Sequence, residues 1–448
     1  MALTDLTIVR RSIGSRMFSS VTTIATVGVA VALMIVLIAM KDAGRRAFER
    51  GSGNMHLLVS RDASPLAAVL NSVFYANPPQ RPLMWTDYQR ISQQFPLEYA
   101  IPVQQGDSYH GFPTMATTPE FFSAFRPDAD EPWALSAGRF FTGDLEVVAG
   151  ATAARESGLK LGDKIKLTHG IGLSDTARAA NKEAGIELEE PHVHDEFEFT
   201  VVGILKPTGS AHDRAIFLNL NSTWLLHAQD RIEDAAREQG AKGAAEAQAN
   251  RATAADVTDQ DRKITGIYLR LPTRAGSDAP ANLPAVFDAL RRDPTLTVAS
   301  PSAQIKSLFK IVSNIDQLFF AMAAAVMLSS GVGIMLALYN SMEQRRRQIA
   351  VLRVLGCSRP RVLGLILTES AILGLFGAAV GVVIALAGGE LAAGILKQRL
   401  GLIVEPAPSP ATVMIVVLAT VLLASAAGVV PGVMAYRTSV ARNLKPIG

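Results

Sequence analysis

Four stretches of this chain leave little room for a water-soluble fold. Ser20 to Met40, Leu318 to Met342, Ile366 to Gly388 and Ala411 to Ala435 are almost unbroken apolar runs. A bilayer core of ~30 Å takes ~20 such residues as a helix, the structure that satisfies its own backbone polar groups. Glu369 is the single charge within the four runs. Arg10, Arg11 and Arg16 precede the first run in the manner of a signal peptide. That run, however, exceeds the ~7–15 residues of a secretory apolar core, and Met40-Lys41-Asp42 is no small-residue cleavage site. It reads as a retained span.

Composition agrees: 49% of residues are hydrophobic and 19% charged, against about 25% charged in ordinary soluble domains. A net charge of +3 gives no electrostatic footprint for nucleic acid, so none is expected as a partner. The single cysteine, Cys357, excludes an internal disulfide framework.

Short loops rich in Lys and Arg mark the cytoplasmic side of a membrane. Segment 1–19 carries Arg10, Arg11 and Arg16 against Asp5, and segment 343–361 has six arginines against Glu343. The tail from Arg437 adds Arg442 and Lys445 without an acid. Loop 397–410 is poorer, with Lys397 and Arg399 against Glu405. Both termini and 343–361 are therefore expected inside, and 42–315 outside. Lys41, Arg45, Arg46 and Arg50 run against this assignment, but long translocated domains largely escape the rule. The expected organisation is an N-terminal amphipathic segment 1–19, spans at 20–41, 316–342, 362–396 and 411–436, an outer α/β domain 42–315, a coupling helix 343–361, an outer loop 397–410 and a tail 437–448. The fold class is thus four transmembrane α-helices with a large mixed α/β extracytoplasmic domain inserted between the first and second.

Within the spans, Gly377 with Gly381 and Gly428 with Gly432 are small-xxx-small pairs that let helix backbones approach. Glu369 is expected to face protein or headgroups in a structural role, since no second charge within the spans offers a proton relay. In 42–315, strands are predicted at Met55–Ser60, Val147–Ala149, Lys164–Leu167, Phe197–Leu205 and Ile264–Leu271. Helices are predicted at Trp85–Phe95, Ala151–Ser157, Asn282–Arg292 and Ser302–Ile315, the last running into the second span. Pro207-Thr208-Gly209 predicts a turn that folds Ala215–Leu218 back on Phe197–Leu205 as a hairpin. Residues 169–194 and 228–262 are polar and lack aromatics enough to bury, so exposed helix or disorder is expected there. No internal repeat relates the four spans.

The stretch from Ser341 to Gly356 is basic and strongly helical, with Ile349, Leu352 and Gly356 on one stripe and Arg346, Ala350 and Arg353 beside it. Gly356 is a helix stop, Ser358 caps the next helix, and Pro360 fits its first turn. Such a helix lies on lipid, docks into a groove of a soluble partner, or simply anchors topology.

Taken together, Glu343, Arg345, Gln348, Ile349, Ala350, Val351, Leu352, Arg353, Leu355, Gly356 and Ser358 resemble the cytoplasmic signature of FtsX-like, MacB-type ABC transporter permeases. Glu369-Ser370 with Gly374, Gly377 and Gly381 extends the likeness, as does the closing run Pro431, Gly432, Ala435, Tyr436, Arg437, Ser439, Ala441 and Leu444. The run Gly150 to Gly158-Leu159, Leu161-Gly162-Asp163 and the segment Val201 to Gly209 resemble the family's extracytoplasmic domain. Gln348 departs from the pattern, standing where the family usually has Glu. The resemblance implies a homodimer of four-helix subunits in the bacterial inner membrane that recruits a cytoplasmic ABC ATPase dimer. ATP and Mg would be bound by that partner. Glu343, Arg345, Arg346, Gln348, Arg353 and Gly356 are the implied coupling residues, and closure of the ATPases would reach the outer domain through the first and second helices. A periplasmic binding protein or lipoprotein is a further implied partner.

No G-x-x-x-x-G-K-[ST], H-E-x-x-H or G-x-S-x-G occurs, so the chain is not expected to be an enzyme by itself. All seven histidines lie in 42–315. His192 and His194, if extended, share one face and suit a common metal ion such as zinc, although ordinary polar loops hold such pairs too. Three functions stay open on the sequence: export or release of an envelope substrate, FtsX-type mechanical control of an outer hydrolase, and a membrane-anchored ectodomain that handles a metal or its carrier.

Overall fold

A computed structural model of the chain describes residues 5–14, 16–77, 81–127, 131–170, 194–238, 251–274, 280–400 and 408–437. They fall into two compact units: one is built from residues 45–310, the other from residues 5–44, 311–400 and 408–437.

The first unit is built on a mixed sheet. Its strands are β1 (Leu57–Ser60), β2 (Leu83–Met84), β3 (Tyr99–Gln104), β4 (Asp107–Tyr109), β5 (Phe112–Thr117), β6 (Leu135–Gly138) and β7 (Glu146–Ala149). They continue with β8 (Lys164–Ile165), β9 (Thr168–His169), β10 (Phe199–Leu205), β11 (Ile216–Asn219), β12 (Lys263–Ile264), β13 (Gly266–Arg270) and β14 (Thr297–Ala299). The order is β14-β1-β13-β3-β5-β11-β7-β10-β6; β4 pairs with β5, β9 with β4, and β8 with β10, while β12 and β2 pair separately.

Both faces of the sheet are covered, which explains its short apolar runs. Leu57 and Val59, Val147 and Ala149, Ile216 and Leu218, and Ile267 and Leu269 face one core. Their neighbours Leu58, Val148, Phe217 and Tyr268 face a second, aromatic-rich core on the other side. A strand covered on two sides reads as continuously apolar, whereas β10 alternates buried and half-buried residues along its length.

Local signals in this unit are followed closely. Helix Trp85–Gln94 and helix Ala151–Ser157 form where the spacing places them, and the second stops at Gly158 in the left-handed conformation. Gly150 has no room for a side chain: a Cβ there would stand 2.5 Å from the Asp213 carbonyl oxygen.

Pairing between distant segments departs from expectation. The strand Ile216–Asn219 does not fold back on β10. It runs parallel to β5 and antiparallel to β7, and β7 is inserted between it and β10. A turn at Pro207 to Gly209 sets local direction only; the apolar faces of β5 and β7 determine where the strand goes. Predicted strand Ile264–Leu271 is broken at Thr265, whose Oγ1 donates to the Val103 carbonyl and accepts from Gln105 N–H. Within 228–262, helix Leu220–Glu238 buries Ala228, Gln229 and Glu233, and Ala252 and Asp261 are also buried. The helical part is therefore packed on one side, tied down where Gln229 Nε2 donates to Glu233 and its Oε1 accepts from Ala252 N–H, while 251–260 is largely exposed, as expected. Residues 171–193, most of the other polar stretch, lie outside the described set.

The second unit is helical. Among the described residues, four helices are long and apolar enough to cross a membrane, over Met17–Arg46, Gln317–Met342, Arg359–Ile395 and Pro410–Tyr436. The second belongs to one unbroken helix, Pro301–Val354. Large apolar side chains such as Phe320, Met322, Leu328, Phe376, Leu391, Ile415 and Leu422 are exposed on the bundle, as lipid-facing surface requires.

Its interior depends on small residues. A Cβ on Gly377 would meet Val27 at 2.5 Å, and one on Gly381 would meet Val31 at 2.6 Å and the Gly28 carbonyl at 2.7 Å. The Gly377–Gly381 pair is therefore the seam between the first and third spans. Gly428 abuts Ser370 and Gly432 abuts Leu363, so the second pair seats the fourth span on the third. The fourth span breaks at Gly428, between helices Pro410–Ala427 and Val429–Tyr436, three residues before Pro431.

Candidate functional site

Two arrangements stand out, one in each unit. In the helical unit, Glu369 is buried at 3% exposure on the third span. Arg16 Nη2 stands 2.7 Å from its Oε1, and Ser12 Oγ donates to the same oxygen at 2.8 Å. The counter-charge thus comes from Arg16, just before helix Met17–Gly51, and the hydroxyl from Ser12 on helix Asp5–Gly14. The structural role expected for Glu369 is filled by an ion pair.

The Arg-rich segment completes the Pro301–Val354 helix. Ile349 and Ala350 are buried in the bundle core, Leu352 and Arg353 are half-buried, and Arg346 and Gln348 are exposed. The stripe read as a surface for lipid or a partner is thus turned partly inward. The outward surface instead combines Arg346 and Gln348 with Val351, Val354 and Leu355, the last 76% exposed. Glu343 and Arg345 belong to the same helix, but their side chains lie outside the description. Gly356 takes φ +95°, and Cys357 N–H closes on the Leu352 carbonyl at 3.0 Å in a left-handed helix stop. The next helix starts at Arg359 with Pro360 in its first turn.

In the sheet unit, β4 and β9 pair antiparallel with Asp107 opposite His169. Gly170 N–H donates to the Gly106 carbonyl at 2.7 Å and closes the ladder, while His194 N–H donates to the Leu167 carbonyl at 2.9 Å. Three side chains converge as a result. His169 Nδ1 is 3.2 Å and His194 Nε2 is 3.9 Å from Asp107 Oδ1. Asp230 Oδ1 stands 3.6 Å from Nδ1 on the other side of the His194 ring. His194 is 1% and Asp107 7% exposed, whereas His169 opens onto a cleft of about 650 Å³ that Gln105, His227, Asp230 and Asp261 also line.

Burial works against an ionised Asp107, but the hydrogen bond with His169 at 3.2 Å and the nearby His194 imidazole outweigh it and hold the carboxyl well below the usual carboxylate range. Asp107 in turn raises His169. For His194, burial opposes the charged ring, and the carboxylates of Asp107 and Asp230 more than offset it. His212 contrasts with both. It is fully buried among Phe121, Phe125, Trp133 and Phe217, bonded to Tyr75 Oη and the Gly51 carbonyl, and burial pushes it down to about 4.

Of the histidine pair singled out in the sequence, His194 belongs to this cluster and His192 lies outside the described residues. Asp107 and His169 escaped sequence reasoning. They are 62 residues apart, and only strand pairing brings them together. The two glycines beside them, Gly106 and Gly170, were the faint local trace.

Comparison with known proteins matches two family models, one after the other along the chain. Residues 20–278, more than half of it, match the MacB-like periplasmic core domain, and residues 320–440 match the FtsX-like permease C-terminal region. An uncharacterized ABC transporter permease of Methanocaldococcus jannaschii is 27% identical over 120 residues, which cover 26% of this chain and 30% of that protein. Among solved structures, the extracellular domain of the noncanonic ABC-type transporter YknZ from Gram-positive bacteria matches 55% of this chain and 98% of its own length. Its identity is 9% and its TM-score 0.26, too loose a likeness to argue from.

Proposed function

The chain belongs to the ABC transporter permeases that join a MacB-like periplasmic core domain to an FtsX-like C-terminal region, and from that membership we propose that it couples a separate ATPase to its sheet domain. In this reading it is the transmembrane subunit of a dimeric transporter in the bacterial inner membrane, with both termini and residues 343–361 cytoplasmic and the sheet domain outside. ATP and Mg are held by the ATPase dimer, and the stroke serves export or release of an envelope substrate.

The observation that carries the proposal is the uninterrupted helix Pro301–Val354 with its exposed Arg346, Gln348, Val351, Val354 and Leu355. A helix without a break transmits displacement as a rigid body. Its end offers charge for specificity and apolar side chains for burial, the combination that a groove on a soluble partner recognises. Gln348 is neutral, so the contact leans on the arginines and on Val351, Val354 and Leu355.

The test is affinity purification of the permease from its own host membranes, followed by mass spectrometry. Wild type should recover an ABC ATPase, and the R345E, R346E, R353E triple variant should lose it at unchanged permease yield. Undiminished recovery with the triple variant would refute the coupling role of this segment.

A further inference from the structure

We infer that Asp107, His169 and His194 form a binding site for a divalent transition-metal ion, with zinc as the best-fitting species. The inference stands apart from ATPase coupling, since it needs only the sheet unit's own residues.

The donor set is the first argument. Two imidazole nitrogens and one carboxylate oxygen, mutually within 4.8 Å, form a three-ligand group of the kind that leaves a fourth tetrahedral position open. Ligands bonded at ~2.0–2.1 Å to a tetrahedral ion stand about 3.3–3.4 Å apart. The separations of 3.2 and 3.9 Å from Asp107 Oδ1 bracket that value, and the two imidazoles lie within 4.8 Å of each other, a spacing the ion would draw in.

Preorganisation is the second. Asp107 and His169 are fixed opposite one another by the β4–β9 ladder, and His194 is tied to Leu167 through its backbone N–H. Asp107 and His169 therefore rest on paired strands, and His194 on a loop position tied to Leu167 by one main-chain hydrogen bond. Asp230 adds a further element: it stands on the Nδ1 side of His194, opposite the nitrogen that faces Asp107. A carboxylate there orients a ligating imidazole and raises its basicity.

Access is the third. Asp107 and His194 are buried, but His169 keeps 59% of its side chain exposed toward the cleft. An ion can enter from that side, and its open position faces a space that admits water or a donor group of a carrier or cargo. Imidazole with carboxylate suits zinc and its neighbours and disfavours calcium or magnesium, which take all-oxygen shells.

The experiment uses full-length protein in detergent, purified through a tag without histidines, stripped with chelator and titrated with ZnCl2 by calorimetry; Co(II) absorption reports geometry. One zinc per chain is expected, with the visible bands of tetrahedral Co(II). H169Q, whose ring is exposed, and D107N should each weaken zinc binding at least about 10-fold, with the metal-free H169Q protein still melting as a cooperative fold. H192Q should retain binding. No zinc binding by wild type overturns the inference, as does full affinity in H169Q. Loss of binding in H192Q with H169Q unaffected would also overturn it, assigning the ion to the adjacent pair instead.

Discussion

Arg16 Nη2 lies 2.7 Å from Glu369 Oε1, so the one charge buried in the spans is neutralised by a residue from before the first of them. Removing one partner strands the other in a medium that solvates it poorly. Glu369→Met and Arg16→Met should each lower stability, the former by about 3 kcal/mol, whereas the two changes together should come near neutral. Thermal unfolding in detergent of both single variants and the double closes the cycle. Additive losses would show that the two residues do not act as a pair.

The seam at Gly28, Gly377 and Gly381 leaves no space for a larger residue. Gly381→Leu should destabilise the bundle by about 1–3 kcal/mol through overpacking, while Gly388→Leu, where a Cβ meets nothing within 4 Å, should not. Melting temperatures in one detergent compare the two.

His212 gives the sheet domain a defined acid response. Its folded value of about 4 lies below the ordinary 6.5, so between those values the unfolded chain binds the extra proton and stability falls as pH falls. The loss from this group should reach about 3 kcal/mol by pH 4 and be absent above pH 6.5. His169 and His194 are shifted in the opposite sense, so the comparison is with His212→Gln, which should flatten the slope between about pH 6.5 and 4. Denaturant midpoints across that range give the difference.

If Asp230 orients the His194 ring, Asp230→Asn should cost about 10–100-fold in zinc affinity without altering stoichiometry. Calorimetry on the purified variant measures both.

Leu355 is apolar, exposed and next to the helix stop. Leu355→Asp should reduce ATPase recovery at least about 10-fold with the permease's melting unchanged, since its side chain contributes little to its own fold. Quantitative mass spectrometry of the purified complex reads the ratio.

Much of this architecture is legible in the residues. The spans declare themselves by length, helix Ala151–Ser157 by its flanking glycines, and the half-buried β10 by its alternation. The glycine pairs at 377 and 381 and at 428 and 432 mark real close approaches. What the sequence hid was long-range. Pro207 to Gly209 suggested a hairpin, yet β7 takes the place beside β10. Nothing local joins Asp107 to His169 across 62 residues, nor predicts that Ile349 would turn into its own bundle and leave Leu355 outside.

The most direct measurement is the sidedness of the stop after Val354. With Cys357→Ser as background and Ser358→Cys as the sole thiol, intact cells and inside-out vesicles are treated with a membrane-impermeant maleimide. Ser358 is exposed, so labelling should occur in the vesicles and be absent in intact cells. Labelling from the outside would place the Arg-rich helix beyond the reach of any cytoplasmic ATPase and contradict the account.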